Sequence, residues 1–160
     1  MEHKIIDTNE VVIRFTGDSG DGMQLTGTLF ADASALYGNE ISTFPDYPAE
    51  IRAPQGTVAG VSGFQVHIGQ TEVKTPGDFC DVLVAMNPAA LKANAKWAKP
   101  GASIILDEDS FDEKGLEKAG FKTNDPIEEM NLKDYHIVWA PITSLTKESL
   151  KDSGLDNKSI

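Results

Sequence analysis

A strand, a glycine-rich turn and a helix follow one another between residues 11 and 27, and this succession constrains the fold more than any other feature. Residues 11–16 read VVIRFT, which is typical of a β-strand, and three glycines then lead into an apolar-periodic segment typical of a helix. A helix that begins at the carboxyl end of a strand has N–H groups without internal partners, and these can meet an anionic ligand. The turn is therefore the first candidate ligand site.

The spacing of this turn differs from the familiar phosphate-binding loops. Gly17, Gly20 and Gly22 form the pattern Gly-x-x-Gly-x-Gly, which is neither the dinucleotide pattern Gly-x-Gly-x-x-Gly nor a P-loop ending in Gly-Lys-Ser/Thr. Two carboxylates, Asp18 and Asp21, lie inside the turn. They suit the positive end of the helix dipole but repel a phosphate, so the sequence disfavours a plain nucleotide site.

Composition excludes several classes of function. The 160 residues suit one domain, and the formal net charge of -11 argues against a nucleic-acid partner, which clustered Lys and Arg would attract. The single cysteine, Cys80, excludes an internal disulfide and a cysteine-ligated iron–sulfur cluster. The amino terminus does not resemble a secretory signal, and no apolar run approaches about 18 residues. We therefore expect a cytoplasmic protein that does not enter a membrane.

The segment after the turn predicts a crossover helix. Leu25, Leu29, Ala33 and Leu36 recur at helical spacing, and the pattern stops at Gly38 and Asn39. Within this helix, Gly27 either allows close packing on the sheet or simply weakens the helix.

A long extended segment, residues 41–54, follows the predicted helix. Its three prolines confine any strand to a sheet edge or a short piece. Because it carries Tyr47, Glu50 and Arg52, the segment is either a functional or partner-contacting loop or a plain surface excursion.

Four further strands are predicted, at residues 64–68, 82–86, 103–106 and 136–140, with helices over 89–98 and 112–119. The strand 64–68 alternates so that His67 points away from the apolar side, which favours a solvated histidine over a catalytic one. The run 82–86 is apolar throughout, as expected of a central parallel strand. Asn87 and Pro88 then supply a helix cap and a first helical residue.

Two clusters of charged residues could form a metal or phosphate site, but a structural role explains each of them better. Asp107, Glu108 and Asp109 follow a strand, where capping carboxylates are a better account than a metal site. Three lysines on the second predicted helix are better explained as a solvent-exposed face, favoured by the helix dipole, than as a phosphate-binding patch. These lysines are Lys92, Lys96 and Lys99.

The order of elements predicts an α/β fold, a three-layer Rossmann-like sandwich with a mostly parallel central sheet. Such sheets bind ligands where strands end and the next helices begin, and residues 17–22 and 86–88 would both lie on that edge. We identify no catalytic residue, because the sequence pairs no nucleophile with a base, and no metal site.

Three sequence segments together resemble a known family. They are RFTGDSGDGM at residues 14–23, FPDYPAEIRAP at residues 44–54 and GVSGFQVHIG at residues 60–69. The set closely resembles the gamma-type domain of 2-oxoacid:ferredoxin oxidoreductases, most of all the N-terminal part of the alpha subunit of the 2-oxoglutarate enzymes. The resemblance covers residues 10–145, and residues 146–160 resemble the polar, interrupted start of a link to a following domain.

The resemblance implies a non-autonomous domain that shares in coenzyme A binding and subunit assembly. It implies that thiamine diphosphate and the iron–sulfur clusters lie in other domains or subunits, and that the partners are the rest of the alpha subunit, the beta subunit and, indirectly, ferredoxin. It assigns no chemical role to Tyr47, Glu50 or Arg52. Two alternatives remain open, a stand-alone nucleotide- or flavin-binding protein and a purely structural assembly domain. The residues that the resemblance places at the coenzyme A site are Gly17, Asp18, Ser19, Gly20, Asp21, Gly22 and Met23.

Overall fold

Six strands form one sheet in the order β2-β3-β1-β4-β5-β6, with helices on both faces. The computed structural model describes residues 7–18, 20–47 and 60–151. The strands are β1 (Glu10–Asp18), β2 (Glu40–Asp46), β3 (Val61–Gly69), β4 (Cys80–Ala85), β5 (Ala98–Asp107) and β6 (His136–Ala140). The helices are α1 (Met23–Leu36), α2 (Pro88–Asn94), α3 (Glu113–Lys118), α4 (Pro126–Glu129) and α5 (Ile142–Ser149).

The sheet is mostly parallel, which confirms the predicted fold class. β1, β4, β5 and β6 run parallel, whereas β3 runs antiparallel to both of its neighbours, β1 and β2. The carboxyl ends of five strands therefore share one edge of the sheet with the amino end of β3. β2 and β6 are the outermost strands, and the position of β2 agrees with the prediction from its proline.

The core lies on both faces of the sheet because side chains alternate along each strand. On one face, Phe15 and Phe64 pack with α1, and on the other face Leu83 and Ile104 pack with Leu91 of α2. These two apolar clusters produce the predicted three layers. In the described residues, no helix is both long enough and apolar enough to span a bilayer.

Helix α1 packs on the sheet through small residues rather than through its leucines. Met23, Gly27 and Ala31 are buried, and a Cβ atom added to Gly27 would lie only 2.2 Å from Cδ1 of Phe64. Gly27 therefore allows a close approach between helix and sheet, one of the two interpretations that the sequence left open. The apolar positions that predicted the helix lie on the opposite side and are exposed: Leu25, Leu29, Ala33 and Leu36.

Helix α2 starts as predicted. The Asn87 Oδ1 atom accepts a hydrogen bond from the N–H of Ala90 at 2.8 Å, and Pro88 occupies the first turn. The helix ends earlier than predicted, at Asn94, and a short 3-10 turn leads directly into β5 at Ala98. β5 thus begins before residue 103, and the parallel ladder absorbs the extra segment by a register shift between Cys80 and Val82.

The lysines of the second helical region make specific contacts, so they are not simply a solvated face. The Lys92 ammonium donates hydrogen bonds to the carbonyl oxygens of Ala119 and Gly120, at 3.0 and 2.7 Å, and so caps the end of α3. Lys99 forms an ion pair with Asp81 at 2.7 Å. The remaining lysine, Lys96, lies over the ring of Trp97.

Two helices differ from the sequence prediction. α4 was not predicted, although Asp125 caps it and Pro126 begins it in the same arrangement as Asn87 and Pro88 at α2. α5 was not predicted either, and it runs past residue 145, where the family resemblance ended, to Ser149. Most of the polar tail, residues 152–160, lies outside the described residues.

Candidate functional site

The ends of β1 and β4 lie side by side at the carboxyl edge of the sheet. The N–H of Met86 donates to the carbonyl oxygen of Thr16 at 2.9 Å, and Asn87 Nδ2 donates to Asp18 Oδ1 at 3.0 Å. The structure therefore brings the glycine-rich turn and the start of α2 together, as the sequence predicted. The amide of Asn87 serves both, because its oxygen caps α2 while its nitrogen holds Asp18.

The glycine-rich turn connects β1 to α1 through a hydrogen-bonded reversal of the chain. The N–H of Asp21 donates to the carbonyl oxygen of Asp18 at 3.0 Å, and Gly22 then caps α1 with φ 70°, a conformation that favours glycine. Gly20 is exposed, and a Cβ atom added there would meet no atom within 4 Å. Ser19, a predicted site residue, lies outside the described residues.

The carboxylate of Asp21 folds back into the turn. Its Oδ2 atom accepts a hydrogen bond from the N–H of Asp18 at 2.7 Å. A Cβ atom on Gly17 would lie 2.8 Å from the same oxygen, so the glycine leaves room for the carboxylate. This backbone donor is therefore already used, and an anion at this edge would need other donors.

Burial raises the pKa of Asp21 above its ordinary value of 3.8, and the negative charges of Asp18 and Asp107 act in the same direction. The hydrogen bond from the N–H of Asp18 opposes them without cancelling the shift. Burial is the main cause of the shift, but the carboxylates of Asp18, Asp21 and Asp107 already place negative charge at this edge. An incoming phosphate would add to that negative charge.

The first turn of α1 supplies the remaining donors. By helix geometry, the N–H groups of Met23, Gln24 and Leu25 have no acceptor within the helix, and the capping residue Gly22 has no side chain to offer one. The side chain of Met23 is buried against the core, so this predicted site residue presents its backbone to the edge. The start of α1 is therefore suited to an anion through main-chain N–H groups and the helix dipole.

Gln24 fixes the start of α1 to β3, a role that the sequence did not reveal. Its Nε2 atom donates to the carbonyl oxygen of Gly63 at 2.7 Å and to Ser62 Oγ at 3.2 Å. A short sequence motif cannot predict this contact, because Gln24 and its partners on β3 are about 40 residues apart in the chain. The contact sets the direction in which the first turn of α1 points.

Asp107 ties the end of β5 to the start of α5. It is fully buried, and its carboxylate accepts hydrogen bonds from Thr143 Oγ1 at 2.6 Å, Thr143 N–H at 3.1 Å and Ser110 Oγ at 2.8 Å. Burial acts to raise the pKa of Asp107, but these donors outweigh it and lower the pKa below 3.8. Asp109 likewise accepts from the N–H of Ser144 at 2.7 Å. Of the three carboxylates for which the sequence predicted a capping role, Asp107 and Asp109 accept N–H groups at the start of α5.

The three sequence segments that carry the family resemblance meet at one buried arginine. Arg14, in the segment 14–23, forms an ion pair with Asp46 of the segment 44–54 and donates to Gln65 of the segment 60–69 at 3.2 Å. Its Nε atom also donates to Asn94 Oδ1 at 2.9 Å. The arginine thereby links β1, β2, β3 and α2 beneath the sheet edge.

The second family segment is only partly described. Tyr47 is exposed at the end of β2, while Glu50 and Arg52 lie outside the described residues. The structure therefore does not show whether these three side chains meet.

The remaining reactive side chains lie away from the edge. His67 lies on the side of β3 opposite Phe64 and Val66, as predicted, but its side chain is only 12% exposed, so the prediction of a solvated histidine is wrong. Its ring contacts the carbonyl oxygen of Thr75 at 2.6 Å and Glu10 at 3.3 Å. Burial raises the pKa of the Cys80 thiol to about 11, and the thiol donates to the carbonyl oxygen of Trp97. In the part of the chain that the structure describes, no three His, Cys, Asp or Glu side chains form a group that could hold a metal ion.

Comparison of the sequence with protein-family models identifies the family of this chain. The model described as pyruvate ferredoxin/flavodoxin oxidoreductase matches residues 12–158. The chain belongs to this family. The match takes in the glycine-rich turn and the sheet except for the first two residues of β1, so the edge described above is a feature of a family domain.

Two curated relatives show how the domain occurs in longer proteins. The chain is 51% identical to the 2-oxoglutarate oxidoreductase subunit KorA of Mycobacterium tuberculosis, over 92% of this chain and 22% of that protein. It is 29% identical to the common subunit gamma of the pyruvate/ketoisovalerate oxidoreductases of Thermococcus litoralis, over 68% of this chain and 57% of that subunit. This chain thus spans only about a fifth of the length of KorA.

Solved structures show the same fold both as part of a long chain and as most of a separate subunit. A 2-oxoglutarate:ferredoxin oxidoreductase from Magnetococcus marinus, with 2-oxoglutarate, coenzyme A and succinyl-CoA bound, aligns with a TM-score of 0.66 and 26% identity, over 91% of this chain and 22% of that chain. A gamma subunit of a keto/oxoacid ferredoxin oxidoreductase from Geobacter sulfurreducens aligns with a TM-score of 0.60 and 21% identity, over 89% of this chain and 67% of that chain. The second likeness concerns the fold alone.

Proposed function

We propose that this chain is the gamma-type module of a 2-oxoacid:ferredoxin oxidoreductase, with 2-oxoglutarate as the acid. The observation that carries the proposal is the 51% identity to KorA, which extends over 92% of this chain. In this role the module takes part in the oxidative decarboxylation of the acid to an acyl-CoA, by helping to bind coenzyme A and by holding the subunits together.

The glycine-rich turn is the part of the module that we assign to coenzyme A. Coenzyme A carries phosphates, and the first turn of α1 offers main-chain donors to an anion at the ligand edge of the sheet. The Magnetococcus relative of the same fold was solved with coenzyme A bound, which supports the choice of ligand. The residues of the assigned site are Gly17, Asp18, Ser19, Gly20, Asp21, Gly22 and Met23.

The two aspartates of the turn make this a shared site. Asp18 and Asp21 oppose a phosphate, and each exposed charge at a helix end is worth about 0.3–1 kcal/mol. Such a penalty is comparable with the net value of one hydrogen bond, about 0.5–1.5 kcal/mol. Tight binding of coenzyme A therefore needs positive charge from neighbouring domains, and this chain alone binds it weakly.

The redox groups belong to other parts of the enzyme. A cysteine-ligated iron–sulfur cluster needs several thiolates, whereas this chain has one buried cysteine, Cys80, whose thiol has a pKa of about 11. We assign thiamine diphosphate and the clusters to the remaining domain of the alpha subunit and to partner subunits, which include the beta subunit. Ferredoxin then contacts the enzyme through those parts.

The site assignment is tested by substitution at Gly20 in the intact enzyme. Gly22 is a poor position for the test because its φ of 70° would strain any other residue, whereas Gly20 lies in open space. Gly20→Val places a branched side chain where the ligand approaches. If it removes one hydrogen bond to a charged group, worth about 1.5–3 kcal/mol, the apparent KM for coenzyme A rises about 10- to 150-fold.

The apparent KM for the 2-oxoacid is measured in parallel and should remain nearly unchanged. Thr28→Val, an exposed position on α1, is the matched control. Asp21→Asn should have the opposite effect and lower the KM for coenzyme A about 2- to 5-fold, since it removes one opposing charge. Equal effects of Gly20→Val on both substrates would indicate a folding or assembly defect, and an unchanged dependence on coenzyme A would remove the turn from the site.

A further inference from the structure

The solvent side of α1 is an apolar surface with no partner in the described residues. Leu25, Leu29 and Leu36 are 63%, 59% and 89% exposed. Together with Ala33 they recur at intervals of four, four and three residues, so they form one continuous strip along the helix. We call these four residues the α1 stripe. At 1.5 Å per residue, the stripe is about 16 Å long.

The α1 stripe differs from the surface of an ordinary solvated helix. The opposite face of α1 already packs on the sheet through Met23, Gly27 and Ala31, so the stripe is not needed to hold the helix in the domain. Within Met23–Leu36 the only charged residue is Asp32. A helix with apolar residues on two opposite sides is typical of an element covered on both sides.

The charge pattern decides between two occupants. Asp32 follows Leu29 by three residues and precedes Leu36 by four, so it lies within the stripe. Two copies of this chain packed stripe to stripe would bring their Asp32 carboxylates together, and α1 has no lysine or arginine to neutralise them. A different surface that offers apolar side chains and one basic residue opposite Asp32 would match the stripe.

The longer relatives indicate where such a surface is found. The domain makes up 22% of the KorA chain and 22% of the Magnetococcus chain, so in each case most of the polypeptide lies outside it. We propose that the α1 stripe docks onto the polypeptide that these relatives carry beyond this domain, with a basic residue of that polypeptide facing Asp32. The proposal rests on the assembly role under the proposed function.

The test compares the chemical accessibility of two positions on α1. Leu29→Cys places a thiol in the stripe, and Thr28→Cys places one at the neighbouring exposed position, about 100° around the helix. The native Cys80 does not interfere, because it is buried and its pKa is about 11. Both variants should keep the melting temperature of the 160-residue chain, because neither side chain is buried in the core.

Each variant is alkylated with iodoacetamide, as the 160-residue chain and within the assembled enzyme, and the modified peptide is followed by mass spectrometry. In the 160-residue chain both thiols should react at similar rates. In the enzyme, Cys at position 29 should react at least tenfold more slowly than Cys at position 28. Equal rates in the enzyme, whether both fast or both slow, would overturn the assignment of the interface to the stripe.

Protection of position 29 in the 160-residue chain, together with dimers in analytical ultracentrifugation, would show that a second copy is the occupant and would overturn the proposal. Assembly of the unsubstituted chain with its partners is measured first, by co-purification. Failure at that step contradicts the proposed function itself, whereas a failure of the accessibility ratio contradicts only the α1 stripe.

Discussion

Substitution of Gly27 by alanine should destabilise the domain, contrary to the usual effect of this change in a helix. On an exposed helix, Gly→Ala stabilises by about 1 kcal/mol, because alanine has the higher helix propensity. At Gly27 the new Cβ atom would lie 2.2 Å from Cδ1 and 2.4 Å from Cγ of Phe64. Real carbon atoms stay about 3.5–4.0 Å apart, so helix and ring must separate by more than 1 Å.

The size of the effect follows from two opposing terms. Overpacking of a core by one methyl group typically costs about 1–3 kcal/mol, and a contact this short falls at the upper end. After subtraction of the helix-propensity gain, we expect a net loss of about 1–2 kcal/mol in the free energy of unfolding. For a domain of this size that loss corresponds to a fall of about 2–8 °C in the melting temperature.

Thermal and urea unfolding, followed by far-ultraviolet circular dichroism, measure this loss directly. Gly20→Ala is the matched control, because its Cβ atom meets nothing within 4 Å, and its melting temperature should remain within about 1 °C of the unsubstituted chain. Phe64→Leu combined with Gly27→Ala should cost less than the sum of the two single changes, since the leucine leaves room for the methyl group. A rise in the melting temperature of Gly27→Ala would refute the close packing of α1 on Phe64.

Three further predictions concern the sheet edge and the chain as a whole. Asp107→Asn should cost about 1–3 kcal/mol at neutral pH, because it weakens a buried set of hydrogen bonds. Since the pKa of Asp107 is lowered on folding, its contribution is present above pH 3.8 and is lost as pH falls through the lower folded pKa, so unfolding curves of the variant should depend less on pH in that acidic range. The 160-residue chain should not reduce a viologen dye with 2-oxoglutarate, thiamine diphosphate and coenzyme A, and dye reduction above the buffer blank would contradict the module assignment. Tyr47→Ala should weaken assembly while leaving the melting temperature nearly unchanged, because the side chain is exposed; a large drop in melting temperature would place Tyr47 in the core of the domain instead.

Local signals in the sequence were sufficient for much of the fold. β6 lies at His136–Ala140, as predicted, because Pro141 ends an uninterrupted apolar run. Asn87 and Pro88 marked the start of α2, since an amide cap followed by proline satisfies the first helical turn in any surroundings. The rule that parallel sheets bring strand ends and helix starts to one edge correctly placed the glycine-rich turn beside the start of α2.

Tertiary features could not be predicted from the sequence, because they depend on contacts between residues that lie far apart in the chain. The apolar spacing of α1 predicted a helix correctly but did not show which side faces the sheet, since the helix is apolar on both sides. The reversed direction of β3 left no local sign. The ion pair between buried Arg14 and half-exposed Asp46 joins residues separated by 32 positions, and either one alone reads as a surface charge.

The two outer strands of the sheet differ in how well they resist unwanted pairing. β2 carries Pro45, which lacks a backbone N–H and so interrupts the ladder that another strand could form on that edge. β6 contains Ile137, Val138 and an exposed Trp139 and has neither proline nor lysine. At high protein concentration, self-association by strand addition should therefore begin at β6, and a charged residue in place of Trp139 would be the first change to improve solubility.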